Sequence, residues 1–145
     1  MTPEEIDTVR NSFGILRAAG VRFADAFYRE LFALDPTLRA RFPASMDEQR
    51  RKFDDMVVAI VEGLDAPAQL ARAGAALGAR HAGYGATEDD YDTMGTALLR
   101  TVRHALGDDC PPEVEEAWAA AYGTLAETMI AAARAAGAAP AGAGA

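Results

Sequence analysis

Three stretches of this sequence carry the residue pattern that begins an α-helix. They are Thr2-Pro3-Glu4-Glu5, Ser45-Met46-Asp47-Glu48 and Thr87-Glu88-Asp89-Asp90, and each places a hydroxyl residue three positions before a carboxylate. Such a pair can close a capping box, in which the two side chains accept hydrogen bonds from free N–H groups of the first turn. Because runs that alternate apolar and polar residues like a strand are missing, these starts predict an all-α chain.

Apolar residues at helical spacing follow these starts, and the segments break at Gly20, Pro36 and Pro67. We predict six or seven helices of unequal length, which does not suit an up-down four-helix bundle. The 145 residues fit one domain, which we place at residues 1–132. Residues 133–145 form an Ala/Gly/Pro-rich tail, and we expect about its last eight residues to be disordered.

The charge balance argues against two classes of partner. The chain has 22 acidic and 14 basic residues and a net charge of −8, whereas nucleic acid and anionic membranes select clustered Lys and Arg. No apolar run approaches the roughly 18 residues that a membrane helix needs. The N-terminus is acidic and unlike a signal peptide. We therefore expect a soluble, cytoplasmic protein.

Common catalytic motifs are missing from the sequence. It contains no GxSxG elbow, no phosphate-binding GxxxxGK[ST] loop, no HExxH and no CxxC. The single Cys110 cannot form an internal disulfide or anchor a zinc site by itself. Its acidic neighbours Asp108 and Asp109 are expected to raise its pKa, which disfavours a nucleophilic thiolate.

Four polar residues are candidates for chemistry, and each also has an ordinary structural interpretation. His81 lies on an apolar stripe, where it is either a metal ligand or a hydrogen-bonded core residue, whereas His104 sits among Arg residues and is expected to face water. Gln49 opens an apolar stripe and either finds a buried partner or faces water in a first turn. Tyr28 lies one position off an apolar face, as a core-edge residue or with its hydroxyl in a cavity.

The order of these residues resembles a globin, specifically the bacterial single-domain haemoglobins and the haem domain of flavohaemoglobins. The resemblance covers residues 1 to about 132. The segments that carry it are 26–36 (AFYRELFALDP), 38–42 (LRARF), 49–53 (QRRKF), 77–86 (LGARHAGYGA) with Tyr91, and 116–123 (EAWAAAYG).

The resemblance implies a three-over-three helical sandwich around haem b, held without a covalent link because CxxCH is missing. His81 is then the iron ligand, and its other ring nitrogen donates to a backbone carbonyl or another acceptor. The residues implied in packing around the haem are Phe42 on the porphyrin face, Phe53, Val57 and Leu98 as pocket walls, and Leu77 and Tyr91 on the His81 side. Lys52 or Arg80 reach the haem propionates or are simply exposed.

Tyr28 and Gln49 are the implied distal pair, which donates hydrogen bonds to dioxygen and less strongly to the less polar carbon monoxide. The implied function is reversible binding of dioxygen and nitric oxide, with nitric oxide dioxygenation as the expected reaction. A carrier, store or sensor of oxygen is the alternative. A haem-free regulatory module is a third possibility, against which His81 and Phe42 argue.

The sequence departs from the flavohaemoglobin pattern in three respects. No flavin- or nicotinamide-binding domain follows, so we expect an external reductase, and the net charge of −8 hints that this partner presents a basic face. The stretch between Phe42 and Gln49 is about three residues shorter. Ala133 stands where the family places a Glu that polarises the proximal histidine, and Glu127 is nearly two turns too early to replace it. Strong peroxidase-like O–O cleavage is therefore not expected.

Overall fold

The computed structural model describes residues 1–137, which form six α-helices, two short 3₁₀-helices and no strand. The α-helices are α1 (Pro3–Ala18), α2 (Phe23–Leu34), α3 (Asp47–Glu62), α4 (Pro67–Gly83), α5 (Glu88–Leu106) and α6 (Pro112–Gly137); the 3₁₀-helices span Pro36–Arg41 and Gly107–Asp109. The all-α prediction is confirmed. Among the described residues, no helix combines the length and apolarity needed to cross a membrane.

Two of the three expected capping boxes are present. At the starts of α1 and α5, Thr2 and Thr87 each accept a hydrogen bond from the backbone N–H three residues on. The carboxylates of Glu5 and Asp90 accept hydrogen bonds from the backbone N–H groups of Thr2 and Thr87 in return. The box expected at Ser45 is wrong, because the N-cap of α3 is Met46 and no side chain caps this helix. Met46 is 5% exposed and packs in an apolar cluster, so burial of Met46 rather than a hydroxyl cap fixes where α3 begins.

The last helix continues past the boundary expected from composition. Residues 133–137 of the predicted tail belong to α6, which ends at Gly137. The predicted disorder falls on residues 138–145 and lies outside the described residues. Near its start, α6 is tied to α1 by Trp118, whose Nε1 donates to Ser12 Oγ at 2.9 Å in the core.

Helix α4 packs closely along α6, and small residues make this approach possible. A Cβ on Gly78 would lie 2.2 Å from the backbone oxygen of Met129, and one on Gly74 would lie 3.0 Å from the Thr128 side chain. Since real Cβ atoms do not approach backbone so closely, Gly78 is required for this spacing. The α4–α6 contact therefore fixes α4, including the residues one turn beyond Gly78, against the rest of the fold.

Candidate functional site: a histidine with a free ring nitrogen

His81 lies in the last turn of α4, three residues after Gly78, and is half-buried. Its Nδ1 is 2.8 Å from the backbone oxygen of Leu77. A carbonyl oxygen can only accept, so Nδ1 carries a proton, and in the neutral imidazole Nε2 keeps its lone pair. Nε2 makes no hydrogen bond to any residue that the structure describes. The backbone of α4 thus presents an imidazole oriented and protonated as a metal ligand requires.

Tyr91 packs beside His81, and a second tyrosine, Tyr122, is hydrogen-bonded to Tyr91. The ring of Tyr91, on α5, is 6.5 Å from the His81 ring between centroids. Tyr91 is 3% exposed, and its hydroxyl has no hydrogen-bond partner within residues 1–137. Tyr122 on α6 donates its hydroxyl proton to the backbone oxygen of Tyr91 at 2.6 Å. Burial raises the pKa of both tyrosines, so both hydroxyls keep their protons at neutral pH.

Tyr28 and Gln49 form a hydrogen-bonded pair that joins α2 to the first turn of α3. Gln49 Nε2 donates to the Tyr28 hydroxyl oxygen at 2.9 Å. Gln49 is half-buried and Tyr28 is 6% exposed, so Gln49 does not serve as a purely solvated first-turn residue. Burial raises the pKa of Tyr28, although the Gln49 hydrogen bond opposes this. The Tyr28 hydroxyl is therefore protonated, and this proton has no acceptor among the described residues.

Four phenylalanines surround the Tyr28 ring. Their ring centroids lie 5.2 to 5.8 Å from that of Tyr28, and they are Phe27, Phe32, Phe42 and Phe53. Phe42 follows the first 3₁₀-helix and meets Tyr28 edge-on. Phe53 stacks on Phe27 with centroids 4.4 Å apart. The Tyr28–Gln49 pair therefore lies against an apolar, aromatic wall on one side.

The other residues predicted to line a pocket have different surroundings. Leu98 packs against the cluster that holds Tyr28, and Leu77 is buried with Tyr91. Val57 is buried in the main core with Val9, away from both of these groups. Lys52 and Arg80 are exposed, and Lys52 Nζ lies 3.3 Å from Glu48.

Three apolar residues that pack against these groups were not among those predicted for the site. Met56 and Ile60 of α3 pack against the apolar group around Leu77 and Tyr91. Met94 of α5 contacts both this group and the group around Tyr28. Their positions on the apolar stripes of α3 and α5 were visible in the sequence. Which side of each stripe faces His81 was not.

An ion pair links the 3₁₀-helix before Phe42 to the start of α5. Arg41 Nη1 donates to Asp90 Oδ2 at 2.6 Å, and Asp90 also closes the capping box with Thr87. Partial burial raises the pKa of the Asp90 carboxyl, but hydrogen bonds from Thr87 and Arg41 outweigh this effect and leave the pKa below its ordinary value. The pair ties the Phe42 segment to the loop that follows His81.

Comparisons with known proteins identify the family and the relatives to which this helical chain is similar. The Globin family model matches residues 25–129. The chain is 33% identical to a flavohemoprotein of Deinococcus radiodurans and 30% identical to one of Bordetella pertussis, each over 133 residues. Each match covers 90% of this chain and 33% of the relative, so the chain spans about a third of these proteins' length. A solved bacterial globin from Campylobacter jejuni has a TM-score of 0.79 at 20% identity, over 92% of this chain and 97% of that one.

The six α-helices, and a histidine whose Nε2 bonds to no residue within 1–137, define an all-α protein with a candidate metal ligand. The family match over more than half of the chain then makes the assignment specific: the chain belongs to the globin family. Haem is the prosthetic group that this family implies, and two features of the structure fit it. One is the tautomer that Leu77 imposes on His81. The other is Tyr91, whose ring lies 6.5 Å from that of His81 and whose buried hydroxyl has no hydrogen-bond partner within residues 1–137.

Proposed function

We propose that the chain binds haem b without a covalent link and that His81 Nε2 is the iron ligand. The hydrogen bond from His81 Nδ1 to the Leu77 oxygen carries this proposal, because it selects the neutral tautomer in which Nε2 offers its lone pair to a metal. Phe42 and Phe53 supply aromatic surface for the porphyrin. Arg80 and Lys52 are exposed and would reach its propionates, Lys52 by leaving its ion pair with Glu48.

The haem iron, when bound, supplies a site for dioxygen, nitric oxide and carbon monoxide. The protein's contribution on the distal side is the Tyr28 proton. Because Gln49 already donates to the Tyr28 oxygen, the hydroxyl is oriented and its proton is directed away from Gln49. Tyr28 therefore acts as the donor to a polar ligand, and Gln49 positions Tyr28 in addition to offering its second amide proton.

The reaction that we infer is nitric oxide dioxygenation, in which nitric oxide, dioxygen and one electron yield nitrate. The electron comes from an external one-electron reductase. Within the described residues no carboxylate bonds to His81, and Ala133 lies on α6 where the flavohaemoglobin pattern has a Glu. A neutral imidazole bonded to a carbonyl donates less electron density than one polarised by a carboxylate, which favours gas chemistry over peroxidase-like cleavage.

Counting turnovers tests this function against the alternative of an oxygen carrier, store or sensor. Haem-loaded protein in aerated buffer receives repeated pulses of nitric oxide with an external reductase and its electron source, and nitrate is measured per haem. We expect many equivalents of nitrate with the reductase and about one without it. A yield that stays at one equivalent with the reductase present contradicts the enzymatic function and supports the carrier.

A further inference from the structure

A cavity of about 410 Å³ opens between α2, the first 3₁₀-helix and the start of α3. Tyr28 forms part of its wall, and three arginines, Arg29, Arg39 and Arg50, line it together with Asp25. We refer to it as the arginine cavity. His81 is not among its lining residues, so the cavity adjoins the distal tyrosine and not the proximal histidine.

One of the three arginines is neutralised by carboxylates. Arg50 Nε lies 3.1 Å from Asp25, and its Nη1 lies 3.1 Å from Asp47. Asp25 is also 3.9 Å from Arg22. The positive charges of Arg22 and Arg50 are balanced by the negative charges of Asp25 and Asp47. They leave no net charge at this side of the cavity.

The other two arginines keep their charge. Arg39 donates to the backbone oxygens of Phe42, Pro43 and Ala44 at 3.4, 2.8 and 2.7 Å. Carbonyl oxygens fix the guanidinium without cancelling its charge. Arg29 makes no ion pair or hydrogen bond to the residues that the structure describes. The arginine cavity therefore carries two uncompensated positive charges in a chain whose net charge is −8.

A small planar oxyanion is the ligand that this chemistry suits, because guanidinium groups donate in-plane pairs of hydrogen bonds to such ions. We propose that the arginine cavity binds nitrate and serves as the route by which this product leaves the Tyr28 side of the pocket. The inference rests on the proposed function. In that reaction nitric oxide and dioxygen supply one nitrogen and three oxygens, and the electron from the external reductant supplies the negative charge of nitrate.

The charges that line the cavity favour movement of an anion from Tyr28 towards the outside. An anion formed beside Tyr28 meets the positive charges of Arg29 and Arg39 on this side, whereas the chain as a whole carries a net charge of −8. Arg29 is exposed at the outer side, so nitrate held there exchanges with solvent. Such a site binds weakly, as a product exit requires.

Titration with sodium nitrate tests the site, using ¹⁵N-labelled, haem-loaded protein in its carbon monoxide form. Amide shifts of Arg29 and residues 39–44 are followed at constant ionic strength, with chloride as the balancing salt. Two charge reversals provide a matched pair: Arg29→Glu alters the cavity, and Arg72→Glu makes the same change at an exposed position of α4 outside it. We expect saturable shifts in the unaltered protein, a nitrate Kd raised at least about fivefold by Arg29→Glu, and a change of less than about twofold with Arg72→Glu.

Two results would overturn the arginine cavity as a nitrate site. One is an equal response of both variants; the other is a chloride titration that produces the same shifts as nitrate. If the protein forms nitrate over many turnovers but its amide signals show no saturable shifts with nitrate, the proposed function stands and the exit site is refuted. If the protein binds nitrate saturably but never forms it, the proposed function is refuted, and the arginine cavity is an anion site that serves another purpose.

Discussion

Replacing Tyr28 by Phe isolates the distal hydroxyl as the determinant of dioxygen retention. The Tyr28 ring is enclosed by four phenylalanine rings, so Phe fills the same space and keeps the packing. Only the hydroxyl is lost. Gln49 is half-buried, so its amide can turn to water once the Tyr28 oxygen is gone. The substitution thus removes one donor without creating a cavity.

The magnitude follows from the type of hydrogen bond. Dioxygen bound in the pocket carries partial negative charge, and a hydrogen bond to a charged group contributes about 1.5–3 kcal/mol. Since about 1.4 kcal/mol is a factor of ten in rate, Tyr28→Phe should release dioxygen about ten- to a hundredfold faster. Stopped-flow displacement of dioxygen by carbon monoxide measures this rate.

Two controls accompany this measurement. Carbon monoxide is less polar, and its release should change by less than about threefold in the same variant. Tyr84→Phe removes the same atom from a tyrosine that is 72% exposed and keeps the ring that lies 6.3 Å from that of His81, so dioxygen release should be unchanged. If dioxygen release from Tyr28→Phe stays within about twofold of the unaltered protein, the Tyr28 proton does not point at the ligand and the distal assignment is refuted.

Three further predictions concern stability, followed by chemical denaturation. Tyr91→Phe removes a hydroxyl that has no partner within residues 1–137, so the free energy of unfolding should stay unchanged or rise. Tyr122→Phe breaks the hydrogen bond to the Tyr91 oxygen and should lower the free energy of unfolding by about 1 kcal/mol. Gly78→Ala forces a methyl group against the α6 backbone and should cost about 1–3 kcal/mol, together with faster haem loss. Arg41→Ala should cost about 1 kcal/mol at pH 7, since its side chain is 42% exposed. This cost should disappear as pH falls below about 4, because Asp90 has a lowered pKa in the folded state and is paired only when ionised.

Each of these predictions has its own control or contrary outcome. Gly14→Ala is the match for Gly78→Ala, since a Cβ there meets nothing within 4 Å, and it should stabilise α1 by about 0.5–1 kcal/mol. Equal effects of the two glycine changes would show that α4 does not need its close approach to α6. A large loss of stability in Tyr91→Phe would mean that its hydroxyl has a partner. An Arg41→Ala cost that shows no decline as the pH is lowered from about 4 towards acid unfolding would remove Asp90 from the explanation.

Local signals in the sequence were enough to predict most helix boundaries. The threonine caps, the break at Gly20 and the proline starts act within one turn and depend on no distant residue. The box at Ser45 failed for the opposite reason. Burial of Met46 against distant residues fixes the start of α3, and a window of four residues does not contain that information.

For the candidate site too, the sequence predicted the residue types but not their contacts with distant residues. The residue types of His81, Tyr28 and Gln49 were visible in the sequence, and the last two are bonded across 21 positions. The sequence did not show that Val57 is buried in the main core, whereas Met56 next to it packs against both the main core and the group around Tyr91, because a single apolar stripe does not say which neighbour each of its residues contacts. Nor did it reveal the pairing of Arg41 with Asp90, which depends on how two distant loops meet.

The absorption spectrum of the protein, after expression with haem or reconstitution, tests the central claim most directly. The matched variants are His81→Ala and His104→Ala, since His104 is the chain's other histidine and is exposed. We predict a strong Soret band at one haem per chain in the unaltered protein and in His104→Ala, and its loss in His81→Ala or recovery there only with added imidazole. A protein that shows no Soret band, or a His81→Ala spectrum identical to that of the unaltered protein, would contradict the assignment of His81 as the haem ligand.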